Sequence, residues 1–580
     1  MSKLTYVCLR DSQSSPSVKR RLRSLSARLT PDNVPSLATR TIDSNGILIS
    51  ILNPVASIAT HDRSVCLGHM FEHQDDWHVP LHAHPDGTYA LFRGNDDYVE
   101  VLADTVASRT VWYYFDDAVF IASSSQRAIV FLLDRFEPDA DVIPWVLSTG
   151  TLGPDHAWDR RLRRLEGDSS VTLHRPSWSL STRTNDVTFS TATATDQEHE
   201  TRLRQALQDT FATIKLDYSH WALLLSGGFD SRAILCLLND TAGLRTLTWG
   251  LKSSLDEPLN DACVARDLAA AFNLRHDYFE TDVSSEPVDK VISRFLVCGE
   301  GRVDHISGYM DGLTIWRTLF EHGIHGIIRG DEVFGLSGLP IPSPVATRQH
   351  LGLALWSDFS NLKSLEDFGL TEQAMPQALR QRAGESLETW RDRLYEEYRH
   401  PVVLAALSDV KLPYLEILNP LLSRRIVLEV RSQPDHARTD KSLYKSIVRS
   451  LSPDIPFAKY PAVQSATDIL KSRPFVEFLR DELSSAYAGT VLPRAFIDYV
   501  LGQVTTLDTN QTQKPTRKEL IATGVKARLP EWARRTIGSF RSKVRMDFNT
   551  LAFRLYVIVH MNRLLAHDAQ DSRQGERQDA

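Results

Sequence analysis

A short apolar segment followed by a turn rich in serine and glycine has the residue types of an anion-binding loop. Trp221–Leu225 has the length and apolar character of a buried strand. The turn Ser226-Gly227-Gly228-Phe229-Asp230-Ser231 follows, and Arg232–Leu238 is apolar enough for a helix. Paired glycines let the backbone approach an anion closely, and the first N–H groups of the helix point at it. A Walker-type loop is excluded because its lysine is missing, whereas a turn without a ligand is the plain alternative.

Three side chains of this turn suit bound phosphate groups. Ser226 and Ser231 carry hydroxyl groups that can donate hydrogen bonds. Asp230 carries a carboxylate that can hold Mg²⁺ beside the phosphates.

The strand, the SGGxDS turn and the helix together resemble the PP-loop of the ATP pyrophosphatase superfamily, whose members cleave ATP to AMP and pyrophosphate. The resemblance implies ATP and Mg²⁺ as the bound groups. It assigns the nucleotide contacts to the loop and the residue before it: Leu225, Ser226, Gly227, Gly228, Asp230 and Ser231.

Composition indicates an ordinary globular protein of about two domains. The 580 residues are 42% hydrophobic and 24% charged, with a net charge of −7 and a pI near 6.3, which favours neither nucleic acid nor a membrane as partner. The five cysteines are scattered without CxxC spacing, so neither a disulfide framework nor a zinc site is expected. The sequence starts without a signal-peptide pattern, and we expect a cytoplasmic protein.

Residues 1–185 have the short apolar segments and polar turns of a layered β-rich domain. Three pieces resemble, in order, the class II glutamine amidotransferase domain of asparagine synthetases: DGTYALF at 86–92, ADTVASR at 103–109, and WYY with FIAS at 112–123. The resemblance implies an Ntn-type fold.

The catalytic residue of that amidotransferase domain is absent. Family members begin, after removal of the initiator methionine, with a cysteine, whereas this chain has Ser2, and Cys8 lies inside the first strand-like segment. A serine with a free amine can act as an N-terminal nucleophile, but a hydroxyl is much harder to activate than a thiol. We therefore predict a degenerate domain that lines or covers the synthetase site, with glutamine hydrolysis through Ser2 as the alternative.

Residues 197–567 alternate strands and helices, which predicts a doubly wound parallel sheet with added helices and a ligand at the carboxyl ends of its strands. Leu244–Leu251 is the second strand and Asn260–Phe272 the second helix. Their order resembles the adenylation domain of asparagine synthetases, which implies adenine packing against Thr248, Trp249 and Gly250. A core role is the alternative for Trp249.

The segment GIIRGDEVFG at 326–335 places acidic residues at the end of another apolar strand. It resembles the family's SGEGxDE-[LI]-FGG element, in which the glycine contacts phosphates and the aspartate shares Mg²⁺. The resemblance assigns these roles to Gly330 and Asp331, with Glu332 as a catalytic candidate. Two loop residues are missing, and Arg329 replaces a serine, which brings a guanidinium suited to a phosphate or a carboxylate.

The segment 451–459, LSPDIPFAK, resembles the family's LP-x-x-[IV]-x-x-R-x-K motif, whose last lysine contacts pyrophosphate. That role maps to Lys459, although a lone lysine is usually a solvated surface residue. Upstream, 418–430 resembles the family's PFLDHRLVEFA element with Ser423 in place of aspartate, and 440–445, DKSLYK, resembles K-x-L-[LR]-R. The basic segment 514–545 is interpreted as a solvated helical face, and 568–580 as a disordered tail.

The resemblance implies an ATP-dependent, AMP-forming amide ligase in natural-product or polysaccharide biosynthesis, whose amine does not come from glutamine. Its partners would be small-molecule or peptide carboxylates and amines, and a homodimer is left open. The alternatives are an intramolecular cyclase of the lasso-peptide or β-lactam type, a non-catalytic protein that retains the fold, and a tRNA-modifying PP-loop enzyme.

Overall fold

The computed structural model describes residues 3–11, 15–35, 38–55, 58–72, 74–281, 286–336, 343–463, 466–507 and 544–577. Within them, three sheets account for the strands: two antiparallel sheets from the first third of the chain and one parallel sheet from the middle. The predicted mixed α/β class is therefore confirmed. Ser2 and most of the basic segment 514–545 lie outside the described residues.

The strands are β1 Lys3–Leu9, β2 Thr39–Ser44, β3 Ile47–Leu52, β4 Ala59–His61, β5 Ser64–Met70, β6 Gly87–Gly94, β7 Tyr98–Ala103, β8 Trp112–Phe115, β9 Val119–Ser123, β10 Arg163–Arg164, β11 Ser169–His174, β12 Ser179–Thr184, β13 Trp221–Leu224, β14 Arg245–Gly250, β15 Arg275–Glu280, β16 Gly326–Ile328 and β17 Glu416–Leu418.

The α-helices are α1 Ser15–Leu29, α2 Gln126–Leu132, α3 Val142–Thr149, α4 Asp196–Thr213, α5 Phe229–Leu237, α6 Asp261–Ala271, α7 Val288–Gly299, α8 Thr314–Glu321, α9 Pro344–His350, α10 Leu387–Leu394, α11 Ala405–Asp409, α12 Arg424–Arg431, α13 Asp435–Arg438, α14 Ser442–Leu451, α15 Ala466–Leu470, α16 Arg473–Ser484, α17 Ala488–Val491, α18 Arg494–Leu501 and α19 Phe548–Arg577, with a π-helix Tyr395–Leu404 between α10 and α11.

The N-terminal region is layered. One six-stranded sheet has the order β10-β8-β9-β1-β3-β2 and the other β12-β11-β7-β6-β5-β4. Apolar residues of both sheets, such as Tyr6 and Ile49 of the first and Phe92 and Val101 of the second, form one core between them. Every residue of β1 is buried because the outer face of its sheet is also covered, with Val7 in the core that includes helices α1 and α2. The strands explain the short apolar segments of the sequence.

The parallel sheet has the order β15-β14-β13-β16-β17. The chain winds outward in one direction from β13 to β15 and in the other direction from β16 to β17. The carboxyl ends of β13 and β16, which are neighbours although distant in the chain, flank the point where the winding reverses: Leu223 pairs with Ile328. Ligands of such sheets bind in the crevice at this point.

The two regions are joined by buried polar contacts, which we call the inter-region interface (Lys3, Asp86, Glu300, Ser423 and Arg424). The Ser423 hydroxyl donates to Asp86 Oδ2 at 2.6 Å, and the Arg424 N–H donates to Asp86 Oδ1 at 2.6 Å. Asp86, which precedes β6, therefore satisfies the first N–H of helix α12. Lys3 Nζ lies 3.2 Å from the buried Glu300 carboxylate.

The predicted disordered tail 568–580 is wrong over its first part. Helix α19 continues to Arg577. Arg127 donates through Nε to Asp568 Oδ2 at 2.7 Å and through Nη2 to Asp568 Oδ1 at 3.0 Å, and Asp568 is buried. This paired carboxylate anchors a segment whose polar composition alone indicates disorder. None of the helices in the described ranges combines the length and apolar character that crossing a bilayer requires.

Candidate nucleotide site

The predicted anion-binding loop lies at the carboxyl end of β13. Strand β13 ends at Leu224 and helix α5 begins at Phe229, three residues earlier than the sequence predicts, so Asp230 and Ser231 lie in its first turn. The Ser226 N–H donates to Ser231 Oγ at 2.9 Å, and the Ser231 hydroxyl donates to the Ser226 carbonyl at 3.2 Å. The Ser231 hydroxyl therefore closes the loop rather than facing a ligand.

Gly227 lies where no side chain fits. A Cβ at Gly227 would lie 2.5 Å from Ala458 Cβ and 2.7 Å from Val264 Cβ. Its N–H donates to Asp261 Oδ1 at 3.1 Å, and its carbonyl accepts the Ala458 N–H at 3.0 Å. The loop is thus held between the start of helix α6 and the segment that carries Lys459. Burial raises the pKa of the Asp261 carboxyl.

A cavity of about 150 Å³ opens beside this loop and is lined by Leu224, Leu225, Ser226, Thr248, Trp249, Asp261, Pro461, Ala462 and Val463. Thr248 and Trp249, the predicted adenine contacts, therefore lie beside the loop. Gly250 is not part of the lining. It instead lets β14 approach the Ala462 backbone, whose carbonyl accepts the Leu251 N–H at 2.8 Å. The size and partly apolar lining suit a flat heteroaromatic ring.

Lys459 follows a segment that is fastened to helix α5. The buried Arg232 donates to the Ile455 carbonyl at 2.7 Å and to the Pro456 carbonyl at 2.8 Å, and its guanidinium stacks on Phe457 at 3.8 Å. The Lys459 N–H donates to the Leu259 carbonyl at 2.8 Å, while its side chain is exposed. The structure therefore places Lys459 next to Ala458, which contacts Gly227, at the mouth of the loop.

Lys441 joins two of the predicted site residues. Its Nζ lies 3.2 Å from Asp230 Oδ2 and 2.9 Å from Glu332 Oε1. Burial opposes its charge, but the attraction of Glu332 and Asp230 outweighs burial and raises the pKa of the ammonium above its usual value. Burial raises the pKa of the Glu332 carboxyl to about 7, against the opposing attraction of Lys441. A fixed cation thus lies beside the first turn of helix α5.

The segment after β16 lies against the start of α5. A Cβ at Gly330 would lie 3.2 Å from Asp230 Cβ and 3.3 Å from the Ser231 nitrogen. Arg329 Nε lies 3.2 Å from Asp331 Oδ1, and its Nη1 donates to the Ser408 hydroxyl at 2.9 Å. Arg329 therefore orients Asp331 while remaining at the edge of the predicted site.

Asp230 and Asp331 supply the oxygen ligands that Mg²⁺ prefers, and the contact of Gly330 with Asp230 brings their backbones together. The residues present fit a magnesium ion bound with nucleotide phosphates. Among the described residues, three ligand-type side chains converge within 4.8 Å only at Asp139, Asp141 and His156, in the N-terminal region. At Asp230 and Asp331, substrate oxygens would therefore complete the coordination.

Two residues of the π-helix contact Glu332 at the carboxyl edge of the parallel sheet. Tyr395 Oη donates to Glu332 Oε1 at 3.3 Å, and His400 Nε2 lies 2.8 Å from the Glu332 carbonyl oxygen. Burial lowers the pKa of His400 to about 4, so its ring is neutral at neutral pH and Nε2–H donates. π-Helices are frequent at functional sites.

Comparison with known proteins identifies the region that carries this site. Residues 202–458 match the family model of asparagine synthase. This segment, less than half of the 580 residues, is therefore similar to asparagine synthases. The match includes the loop, Asp331, Glu332 and Lys441, and it ends one residue before Lys459. Members of this family use ATP to form amides.

No curated protein matches the chain. Among solved structures, a glutamine phosphoribosylpyrophosphate (PRPP) amidotransferase from B. subtilis complexed with ADP and GMP aligns over 48% of this chain and 65% of that protein, with 9% identity and a TM-score of 0.21. The aligned part of this chain thus spans less than two thirds of that protein's length.

Sequence reasoning missed Asp261 and assigned no role to Lys441. Both had a signal: Asp261 is the second residue of the second predicted helix, and Lys441 begins the KSLYK segment that resembles a family motif. The residues that the resemblance did assign lie around one loop, with Ser231 and Gly250 in supporting positions. Their individual roles stay predictions.

Proposed function

We propose that this asparagine synthetase-like protein adenylates a substrate carboxylate with ATP, releases pyrophosphate, and transfers the acyl group to an amine that glutamine does not supply. The observation that carries the proposal is the convergence at Gly227. One side of the loop meets the segment of Lys459, and Asp230 at the start of α5 is paired with Lys441.

The chemistry requires activation because a carboxylate has no adequate leaving group. A carboxylate oxygen attacks the α-phosphorus of ATP, the bond to the β-phosphate oxygen breaks, and pyrophosphate leaves. The amine then attacks the acyl carbon, the C–N bond forms, a proton is lost, and AMP leaves. Amide formation is thereby coupled to cleavage of ATP.

This chain's residues would hold the reactants and stabilise the departing charge. The cavity beside Trp249 would take the adenine, and the start of helix α5 would hold the phosphates. Lys441 is fixed by Asp230 and Glu332, whereas the exposed Lys459 can move onto the departing pyrophosphate. Mg²⁺ held by Asp230 and Asp331 would neutralise phosphate charge. Such preorganised charges stabilise a transition state in which charge develops.

The structure around Cys8 supports independence from glutamine. Cys8 is fully buried within β1, and burial raises the pKa of its thiol. A buried, protonated thiol is a poor nucleophile. The amine would therefore come from an amino acid, free ammonia or the substrate itself.

The test is exchange of labelled pyrophosphate into ATP by the full-length protein, screened over carboxylates of different size and charge. We expect exchange that depends on one class of carboxylate, with AMP and not ADP as product when an amine is added. Asp230→Asn should reduce exchange at least 100-fold, on the order of the loss of one electrostatic contact in an active site, whereas Asp498→Asn on helix α18 should not. ADP formation, or exchange that is unaffected by Asp230→Asn, would overturn the proposal. A product lighter than one substrate by one water would instead identify an intramolecular cyclase.

A further inference from the structure

A buried lysine lies beside the candidate site without a carboxylate partner among the described residues. Lys411 follows helix α11 and is 4% exposed. Its Nζ lies 2.7 Å from Tyr309 Oη and 2.8 Å from the Leu407 carbonyl oxygen. It also lies 5.2 Å from the centre of the Tyr309 ring and 5.5 Å from that of Trp316. Two neutral oxygens and two rings are a poor substitute for a counter-ion.

The surroundings of Lys411 favour its neutral amine. Burial lowers the pKa of Lys411 well below its usual value, the positive charge of Arg329 lowers it further, and only Asp331 opposes the shift. Tyr309 is itself buried, which raises its pKa, so its hydroxyl keeps its proton. A neutral lysine amine has a lone pair and can accept a proton.

Two chains of contacts connect Lys411 with the candidate site. Trp316 packs edge-on against Trp249 with their ring centres 5.5 Å apart, and Trp249 lines the cavity beside the loop. On the other side, Ser408 lies three residues before Lys411 and accepts a hydrogen bond from Arg329, which pairs with Asp331. Lys411 thus lies behind the residues that face the nucleotide.

Open space adjoins the segment that carries Tyr309. A Cβ added at Gly308 would meet no atom within 4 Å. This space adjoins Gly308, whereas Tyr309 and Lys411 are 5% and 4% exposed, so a proton transfer to Lys411 requires the substrate amine to enter beside Gly308. The amine that attacks an acyl-adenylate must lose a proton to form a neutral amide, and no role assigned above supplies a base for that proton.

We propose that Lys411, hydrogen-bonded to Tyr309, is the base that accepts this proton. The proposal rests on the proposed function and concerns its second half-reaction alone. The amine nitrogen forms its bond to the acyl carbon, its proton passes to Lys411 Nζ, and the bond from the acyl carbon to the AMP oxygen breaks. Tyr309 holds the amine of Lys411 in place.

The competing role is structural: a lysine that fastens the Leu407 carbonyl and two rings. Arginine at position 411 could fulfil the structural role but not the role of a base. Arginine preserves a cation over the rings and donates to carbonyl groups, but it does not lose its proton. Methionine preserves the length and apolar volume of the side chain.

The test compares the two half-reactions in Lys411→Met, Lys411→Arg and Tyr309→Phe. We expect both Lys411 variants to catalyse pyrophosphate exchange within about 3-fold of the rate of the unsubstituted protein. Amide formation should be at least about 100-fold slower in both, which is the lower end of the range for loss of a general base. Tyr309→Phe should slow amide formation about 10-fold, a fraction of that effect. Lys363→Met is the matched control because Lys363 lies 5.2 Å from the centre of the Tyr499 ring, in the same type of contact, outside the candidate site.

The pH profile gives a second reading that a structural role would not change. With Lys411 as base, amide formation should fall as the pH drops below the lowered pKa of Lys411, and this limb should be absent in Lys411→Met. Arg329, Asp331 and Tyr309 are the charged or titratable groups around it, and all three remain in that variant.

Each outcome decides the proposal. Full amide formation by Lys411→Arg, or equal loss of both half-reactions in Lys411→Met, would overturn it. If Lys411→Met does not fold, Tyr309→Phe with an unchanged rate and acid limb would overturn it. Absence of exchange in the unsubstituted protein with every carboxylate would instead overturn the proposed function itself.

Discussion

The inter-region interface and the carboxyl edge of the parallel sheet both bury charged groups, but they satisfy them differently. At the interface, Glu300 accepts the Gln126 N–H at 2.8 Å and pairs with Lys3, and Asp86 accepts from Ser423 and Arg424. At the sheet edge, burial raises the pKa of the Glu332 carboxyl despite its pairing with Lys441, and Lys411 has no carboxylate partner among the described residues. Incomplete charge compensation is therefore the property that separates the candidate site from a structural contact.

Cavity size does not distinguish the candidate site from the inter-region interface. A more open cleft of about 590 Å³ lies at the interface, bordered by Glu72, Asp86, Arg424 and Arg425. Two of its arginines are already paired: Arg424 with Asp168 at 3.2 Å, and Arg425 with Glu72 and Asp86. The cavity beside the loop is about 150 Å³ but is lined by Ser226 of the loop and by Asp261 at the start of helix α6. The nature of the lining, and not its volume, indicates the ligand.

The largest expected effect concerns the contact between Gly227 and the Lys459 segment. Gly227→Ala should slow pyrophosphate exchange by about 100-fold, because its Cβ would push Ala458 away and a misplacement of about 1 Å costs about that much. Gly489→Ala on helix α17 is the control, since its Cβ would meet no atom within 4 Å. Equal exchange rates in the two variants would show that the contact between Gly227 and Ala458 does not position the site.

The next effect concerns acid stability at the sheet edge. The pKa of His400 is lowered from 6.5 to about 4, so the unfolded state binds a proton in this range that the folded state does not. The free energy of unfolding should therefore fall with decreasing pH between 6.5 and 4, by up to about 3 kcal/mol from this residue.

His400→Gln, which retains a donor for the Glu332 carbonyl, should remove this part of the pH dependence. Urea unfolding at about pH 7 and about pH 4.5, on either side of most of this titration, measures it, with the exposed His322→Gln as control. The same pH dependence in His400→Gln and in the unsubstituted protein would show that the ring is charged in the folded state.

A smaller effect is expected at the interface. Asp86→Asn should lower the free energy of unfolding by roughly 1–3 kcal/mol because it weakens charged hydrogen bonds to Ser423 and the Arg424 N–H. Pyrophosphate exchange per folded molecule should stay unchanged, which urea unfolding and active-fraction measurements together can verify. A large loss of exchange with unchanged stability would mean that the interface takes part in catalysis.

The smallest effect is expected in the N-terminal core. Cys8→Ala should leave the rate of amide formation unchanged, with or without glutamine, because the thiol is buried and protonated. Its removal should cost about 1 kcal/mol of stability. Loss of a glutamine-dependent rate in Cys8→Ala would restore an amidotransferase role to this region.

The local sequence pattern was sufficient to predict the strand, turn and helix of the loop and to indicate the family. The strand at Trp221–Leu224, the paired glycines and the helix after them are consecutive, and each has a period or composition that predicts it. Helix α1, Ser15–Leu29, was not predicted: it has few apolar residues, and its position depends on packing against the first sheet.

Contacts between distant segments could not be predicted from local pattern. Lys441 lies between Asp230 and Glu332 only because three separate segments meet. Lys411 has no signal in the sequence, where it is one lysine in an apolar stretch, and its low pKa arises from burial beside Arg329. The resemblance to a family supplied roles for some of these positions, but not the partners that hold them.

The hydrogen bonds from the start of helix α12 to Asp86 make the second region dependent on the first. Where the related element has an aspartate of its own, this chain has Ser423 and takes the carboxylate from a position 338 residues away from Arg424. A fragment that starts at residue 197 would leave that helix end and its serine without this acceptor. The second region therefore depends on the first for the hydrogen bonds at this helix end, although the first has a serine where the family has its cysteine nucleophile.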